Sequence, residues 1–134
     1  MDRIEKKICR LIDEHQEEIK AFGRDIWHHG EMGYKEVRTS EKFAEYGKKY
    51  GLVTEQGLAV TGVKCYLKGK EKKGITVAVV GEMDALPIPD HPDANPETGA
   101  SHCCGHNAQL AGVVGAMMAL TDEEVREAME GNVV

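Results

Sequence analysis

The stretch ITVAVV, Ile75–Val80, constrains the fold of this chain more than any other. It joins β-branched and small apolar residues with no charged position, the pattern of a central strand covered on both faces rather than of a half-wet one. A strand covered on both faces needs a layer of helices on each side of its sheet, so the expected class is α/β. Just before it, Val63, Cys65 and Leu67 alternate with Lys64, Tyr66 and Lys68, which predicts a strand with one buried face, and the sequence EKKG then predicts a turn. Helical patterns flank this β region. Ile4, Ile8, Leu11, His15, Ile19, Phe22 and Ile26 recur at steps of three and four, predicting one long amphipathic helix with a break near Gly23. Thr39 or Ser40 is expected to cap a second helix that carries Phe43, Tyr46 and Tyr50 and stops at Gly51. AQLAGVVGAMMAL (Ala108–Leu120) reads as a small-residue helix suited to close packing on the sheet, and TDEEVREAMEG as a further helical segment closed by Gly131. Asn132–Val134 then reads as the start of a strand. A buried-type strand should not begin three residues before a natural end, so residues 1–134 are expected to be the N-terminal portion of a longer protein.

Composition removes several function classes. The net charge is -6, and the only short basic block is KGKEKKG at Lys68–Gly74, too little to neutralise a row of phosphates, so nucleic acid is not an expected partner. The charged start MDRIEKKICR has no apolar signal core, and no apolar stretch is long enough to span a bilayer. A soluble, cytoplasmic protein without a membrane partner is the expectation, with its four cysteines reduced. Cys9 falls on the apolar helical face and Cys65 on the apolar strand face, and both are expected in the core. Cys103 and Cys104 are neighbours, and a disulfide between adjacent residues is strained.

The chemistry-bearing residues cluster after the ITVAVV stretch. Ligands of open α/β sheets bind beyond the carboxyl ends of the strands, and this strand runs directly into GEMDALP. Glu82 and Asp84 therefore lie at that edge and, in extended chain, point the same way. All four prolines lie between Pro87 and Pro96, so Pro87–Ser101 is expected to be a long loop of little regular structure. It leads into HCCGHN, His102–Asn107. Cys104 and His106 form a C-x-H pair, and thiolate and imidazole are good ligands for zinc and other divalent ions. The pair by itself is a weak signal, because no second pair completes a four-ligand site. Three readings stay open on these residues alone: a metal site completed elsewhere, a cysteine nucleophile with His106 or His102 as base, and thiol redox chemistry at Cys103 and Cys104.

Taken in order, four segments resemble the metal-dependent amidohydrolases of the aminoacylase, hippurate hydrolase and aminobenzoyl-glutamate hydrolase group, a branch of the dinuclear zinc exopeptidase-like family. WHHGEMGYKEVRTS is similar to the family's His-Pro-Glu-Leu-Gly segment and its Arg-Thr-Ser helix cap. TGVKCYLKG matches a Thr-Gly-Val strand, GEMDALPI an Asp-Met-Asp-Ala-Leu-Pro motif, and HCCGHN a His-Ala-Cys-Gly-His-Asp motif. The resemblance implies a partial three-layer αβα sandwich with a mixed sheet, residues 1–134 forming the N-terminal part of a catalytic domain whose inserted smaller domain and C-terminal part are absent. It implies cleavage of the amide bond of an N-acyl or N-aminobenzoyl amino acid, or of a small peptide, by water activated at two divalent ions (zinc, manganese or cobalt). Carried over position by position, Cys104 and His106 are metal ligands and Asp84 is the acid that orients the site. The family's general-base glutamate and its later ligands lie beyond Val134, which implies that this stretch alone is inactive. His29 and His102 are expected as supporting residues, and His28 and His91 as solvent-facing. Cys103 takes an alanine position, Glu82 and Asn107 take aspartate positions, Gly30 a proline position, and Gln109 that of a histidine found in many members.

Two other classes compete with this reading. One is a non-catalytic binding or regulatory module on a truncated hydrolase fold, whose uncovered apolar surface would favour a homo-oligomer. The other is a cysteine redox protein.

Overall fold

The computed structural model describes residues 1–70 and 74–134. Glu71, Lys72 and Lys73 of the expected EKKG turn lie outside the described residues.

The chain opens with two helices, α1 (Arg3–Glu14) and α2 (Gln16–His28). Asp2 starts α1 through a capping box: its carboxylate accepts from the Glu5 amide, and the Glu5 carboxylate accepts from the Asp2 amide. The break expected near Gly23 lies instead at His15, which ends α1 and begins α2. Gly23 is buried inside α2, where a Cβ would come within 3.1 Å of the Ala111 Cβ. Its small size serves close helix packing, not a break. Cys9, expected in the core, is exposed, because α1 buries no residue fully and meets the rest of the chain along one stripe, through half-buried Ile4, Lys7, Ile8 and Leu11.

Helix α3 (Val37–Lys49) is not capped by Thr39 or Ser40, which are buried within its first turn. The Glu31 carboxylate caps it from outside, accepting from the amides of Arg38 at 3.0 Å and Thr39 at 2.8 Å. Strands β1 (Val53–Leu58) and β2 (Gly62–Tyr66) form an antiparallel hairpin. β1 was not legible in the sequence, whereas β2 follows its expected alternation, Val63 and Cys65 facing in, Lys64 and Tyr66 out.

The remaining strands are short: β3 (Thr76–Val77), β4 (Leu86–Pro87), β5 (Ala100–Ser101) and β6 (Asn132–Val133). Leu67 and Val133 exchange two 2.9 Å backbone hydrogen bonds in an antiparallel bridge that joins the hairpin's end to β6. β6 in turn pairs in parallel with β3, and the ladder extends by the Val79 amide donating to the Val134 carbonyl. The β region is therefore mixed, as expected. β4 pairs with β5, so the proline-rich loop between them is closed at its base and otherwise built from turns.

Helices α4 (His106–Leu120) and α5 (Glu123–Ala128) complete the chain. α4 packs against α1, α2, α3 and α5. Phe22 and Ile26 of α2, Phe43 of α3, and Leu110, Val114, Met117 and Met118 of α4 form the core, with Val63 and Cys65 packed against it from the sheet. Burying each large apolar side chain contributes about 2 kcal/mol, so this single cluster dominates the stability. One face of the hairpin thus carries helices, while Val53, Lys64 and Tyr66 on the chain's outer side are exposed.

The expectation for Ile75–Val80 is corrected here. All six residues are exposed, Ile75 at 81% and Val80 at 77%. Among the described residues, the stretch is paired along one edge only, and no helix covers both its faces. An apolar cleft of about 290 Å³, lined by residues including Val79, Met83, Leu110, Val113 and Val133, opens beside it. No described helix is long and apolar enough to cross a membrane.

Candidate functional site

The segment after the exposed strand is held by side chains from other elements. Gln109, in the first turn of α4, accepts from the Glu82 amide through Oε1 and lies 3.5 Å from the Glu82 carboxylate through Nε2. The Ala85 amide donates to the Glu31 carbonyl at 2.7 Å, beside a parallel bridge between Met32 and Ala85. Residues 82–85 are thereby fixed between α4 and the loop that caps α3.

His106 is the first residue of α4. Gly105, at φ +82°, turns the chain into the helix in a conformation that costs glycine little. The His106 ring is mostly buried and makes three polar contacts. Nδ1 lies 2.9 Å from the Asp84 carbonyl and 3.0 Å from Asp84 Oδ1, and Nε2 lies 3.2 Å from Glu82 Oε2. Both partners of Nδ1 are acceptors, so Nδ1 carries the proton and donates. The two carboxylates expected at the sheet edge do converge, and they converge on opposite nitrogens of one imidazole.

His102 is 2% exposed, and neither of its ring nitrogens has a hydrogen-bond partner. Burial pushes its pKa down and nearby His106 adds to this, while Asp84 and Glu31 oppose it. Burial thus favours the neutral ring, and no described hydrogen bond of that ring gives His102 the supporting role expected of it. Cys103 and Cys104 are both exposed in the turn before α4, and Cys103 Sγ lies 3.2 Å from Ser101 Oγ. No described contact joins Cys104 to His106. Asn107 turns away from this cluster: its Nδ2 donates to the Gly23 carbonyl at 3.2 Å, tying α4 to α2. An amide does this where an aspartate has no proton to give, which accounts for asparagine at that position. Of the other histidines, His28 and His29 are exposed, and the His29 ring bonds the Asp25 carbonyl at 2.7 Å. His91, expected in solvent, is half-buried with its ring edge-on to Trp27, and its Nδ1 accepts from the Asp93 amide.

The donor chemistry at His106 fits a metal ligand. A carboxylate and a carbonyl fix Nδ1–H, which orients the ring and leaves the Nε2 lone pair for a cation. The set is incomplete by itself, since among the described residues no group of three or more His, Cys, Asp or Glu side chains is arranged to hold a metal ion. Two positioning residues escaped the sequence reading of roles. Gln109 showed only as a departure from a histidine, and Glu31 showed only as the glutamate of the segment similar to His-Pro-Glu-Leu-Gly, without a role, because its task is to bond backbone amides seven and eight residues away.

No protein-family model matches the chain. It is 34% identical over 119 residues to thermostable carboxypeptidase 1 of Saccharolobus solfataricus, covering 86% of this chain and 30% of that protein. It is 31% identical to N-acetylcysteine deacetylase of Bacillus subtilis, covering 82% of this chain and 29% of the relative. It is 30% identical to an N-acyl-L-amino acid amidohydrolase of Geobacillus stearothermophilus, again over 82% of this chain and 30% of the relative. Among solved structures, a dinuclear metal-binding peptidase of the M20 family from Bacillus subtilis superposes with a TM-score of 0.72 at 28% identity, over 96% of this chain and 34% of that one. A solved structure from methicillin-resistant Staphylococcus aureus, at 24% identity and a TM-score of 0.83 over 96% of this chain and 33% of that one, shares the fold. The chain spans about a third or less of the length of each of these proteins. In sequence and in fold, the chain is similar to amidohydrolases, carboxypeptidases and an M20 metal peptidase over a part of their length.

Proposed function

We propose that the chain forms part of a metal-dependent site that hydrolyses the amide bond of an N-acyl or N-aminobenzoyl amino acid, or of a small peptide. The observation that carries this reading is the His106 ring, held at Nδ1 by Asp84 with Nε2 left facing outward to Glu82. In this reading His106 and Cys104 hold divalent ions (zinc, manganese or cobalt, two in the whole protein). A divalent ion, when bound, supplies Lewis acidity and acidifies water. Asp84 orients the His106 ring and strengthens it as a donor. Relatives that act on N-acyl amino acids and on peptides support the substrate class.

Residues 1–134 carry only part of such a donor set, and we expect them alone to bind metal without appreciable turnover. The test is hydrolysis of N-acetyl amino acids and aminobenzoyl-glutamate with each metal, together with alkylation of Cys104 with and without it. Metal should slow the alkylation. Hydrolysis that a chelator leaves untouched, or a Cys104 thiol that no metal protects, overturns the reading.

One observation favours a second role. The exposed apolar stretch Ile75–Val80 suits self-association, as in a binding module. Light scattering at rising concentration tests it, and a monomer throughout rejects it.

A further inference from the structure

While the ring is neutral, the contact between His106 Nε2 and the Glu82 carboxylate sets two acceptors against each other. Nδ1 of His106 faces two acceptors, the Asp84 carbonyl at 2.9 Å and Asp84 Oδ1 at 3.0 Å, so a neutral ring has its proton there. Nε2 is then a lone pair, and it faces a carboxylate oxygen, Glu82 Oε2, across 3.2 Å. Two lone pairs at that distance repel unless a cation lies between them, either a proton that makes the ring an imidazolium or a metal ion.

The spacing fits the metal. Imidazole nitrogen and carboxylate oxygen bind zinc at roughly 2.0–2.2 Å, so two ligands stand roughly 3.3–3.6 Å apart on a tetrahedral ion and roughly 2.8–3.1 Å apart at the right angle of an octahedral one, values that bracket the 3.2 Å found here. Glu82 is also held for the task. Its amide donates to Gln109 Oε1, and its carboxylate is within 3.5 Å of Gln109 Nε2. Gln109 sits one helical turn after His106, so a single turn of α4 presents the nitrogen ligand and restrains the oxygen one.

We propose that Glu82 is an oxygen ligand that shares one divalent cation with His106 Nε2, and that Gln109 is its positioning residue. The proposal deepens the metal reading above and depends on it for His106, though not for Cys104. An anionic oxygen beside an imidazole is a harder donor set than thiolate with imidazole, so the pair favours manganese and cobalt relative to a Cys104–His106 pair.

The test is calorimetric titration of the 134-residue chain with manganese, cobalt and zinc, with the visible absorption of bound cobalt as an independent readout. Glu82 carries a 60% exposed side chain, so Glu82→Gln should leave folding intact, which circular dichroism checks. The expected result is a loss of manganese and cobalt affinity of at least roughly tenfold in Glu82→Gln, loss of binding in His106→Ala, and a smaller loss in Gln109→Ala. A change in the cobalt spectrum of Glu82→Gln should accompany the loss, because a ligand has changed. Unaltered affinity and spectrum in folded Glu82→Gln overturn the proposal. If Cys104→Ser abolishes binding while Glu82→Gln does not, Glu82 is excluded and the Cys104 reading stands. If the reverse holds, Glu82 is upheld and Cys104 falls. A wild-type chain that takes up none of the three ions overturns both.

Discussion

Asp25 offers a direct measure of how the scaffold under the site is held. It lies near the end of α2, about a quarter exposed, and faces two cations from α3. Arg38 contacts it through Nη2 to Oδ1 at 2.9 Å and Nη1 to Oδ2 at 2.8 Å, and Lys42 Nζ reaches Oδ2 at 3.0 Å. The two Oδ2 contacts are ionic rather than well-angled hydrogen bonds, since Oδ2 and Arg38 Nη1 have no hydrogen-bond partner. Burial alone would raise the Asp25 carboxyl, but Arg38 and Lys42 outweigh it and hold the group down at about 2, from an ordinary 3.8. That difference corresponds to about 2 kcal/mol of stability at neutral pH. Partial exposure of Arg38 and Lys42 reduces the figure to between about 1 and 2 kcal/mol. The folded-state value is the lower one, so this stability is full above about pH 4 and is lost as the pH falls through about 2. The perturbation is Asp25→Asn, and the assay is urea unfolding of both chains across this range. The variant should be less stable at pH 7 by about 1–2 kcal/mol, and the gap should narrow as the pH falls towards 2, where the folded wild-type carboxyl is already half protonated. A gap that stays constant from pH 7 to pH 2 refutes the electrostatic account and leaves only packing.

Three further outcomes follow from the geometry. Phe22 is 1% exposed and packs edge-on against Tyr46 between α2, α3 and α4, so Phe22→Ala should cost about 3–5 kcal/mol in the same unfolding assay. An alanine at Gly47 would bring its Cβ to 2.5 Å from Cys65 Sγ and 2.6 Å from Thr54 Oγ1. Gly47→Ala should therefore destabilise by about 1–2 kcal/mol despite the better helix propensity, and a stabilised variant would show that α3 can lift off the hairpin. In thiol titration at neutral pH, Cys9, Cys103 and Cys104 should react rapidly and Cys65 slowly, because burial raises the Cys65 thiol while the other three are exposed; four equal rates would contradict this placement.

The sequence was most legible where a single rule governs a residue. Hydrophobic spacing located α1, α2 and α3 and the inward residues Val63 and Cys65, and a run of small apolar residues located α4. It misjudged Cys9 because periodicity assigns a face but not what covers it, and α1 meets the rest of the chain only at its half-buried stripe. It missed β1, whose Thr54, Glu55 and Gln56 carry no apolar alternation and are held by pairing with β2. It read Ile75–Val80 as a covered strand because β-branched residues record what a strand is suited to. The exposure of all six shows how little of that cover the described residues supply.

The site divides in the same way. Glu82, Asp84, Cys104 and His106 could be picked out as chemical types in sequence, but their arrangement could not. Asp84 and His106 are 22 residues apart, and Gln109 and Glu82 are 27 apart. These contacts depend on where α4 starts against the end of a strand with only a two-residue ladder. Such a strand cannot itself hold Glu82 and Asp84 to the fraction of an ångström that ligation demands. The work falls to His106, Gln109 and the Glu31 carbonyl, which grip the backbone or side chains of residues 82, 84 and 85 from two independent elements. Glu31 couples this grip to α3 as well, because the same residue caps that helix with its carboxylate and holds Ala85 with its carbonyl. Loosening the start of α3 should therefore disturb His106 through the chain from Glu31 to Ala85 to Asp84, with no direct contact between them. The precision of the candidate site is thus a property of the helix starts and not of the strand that points to it.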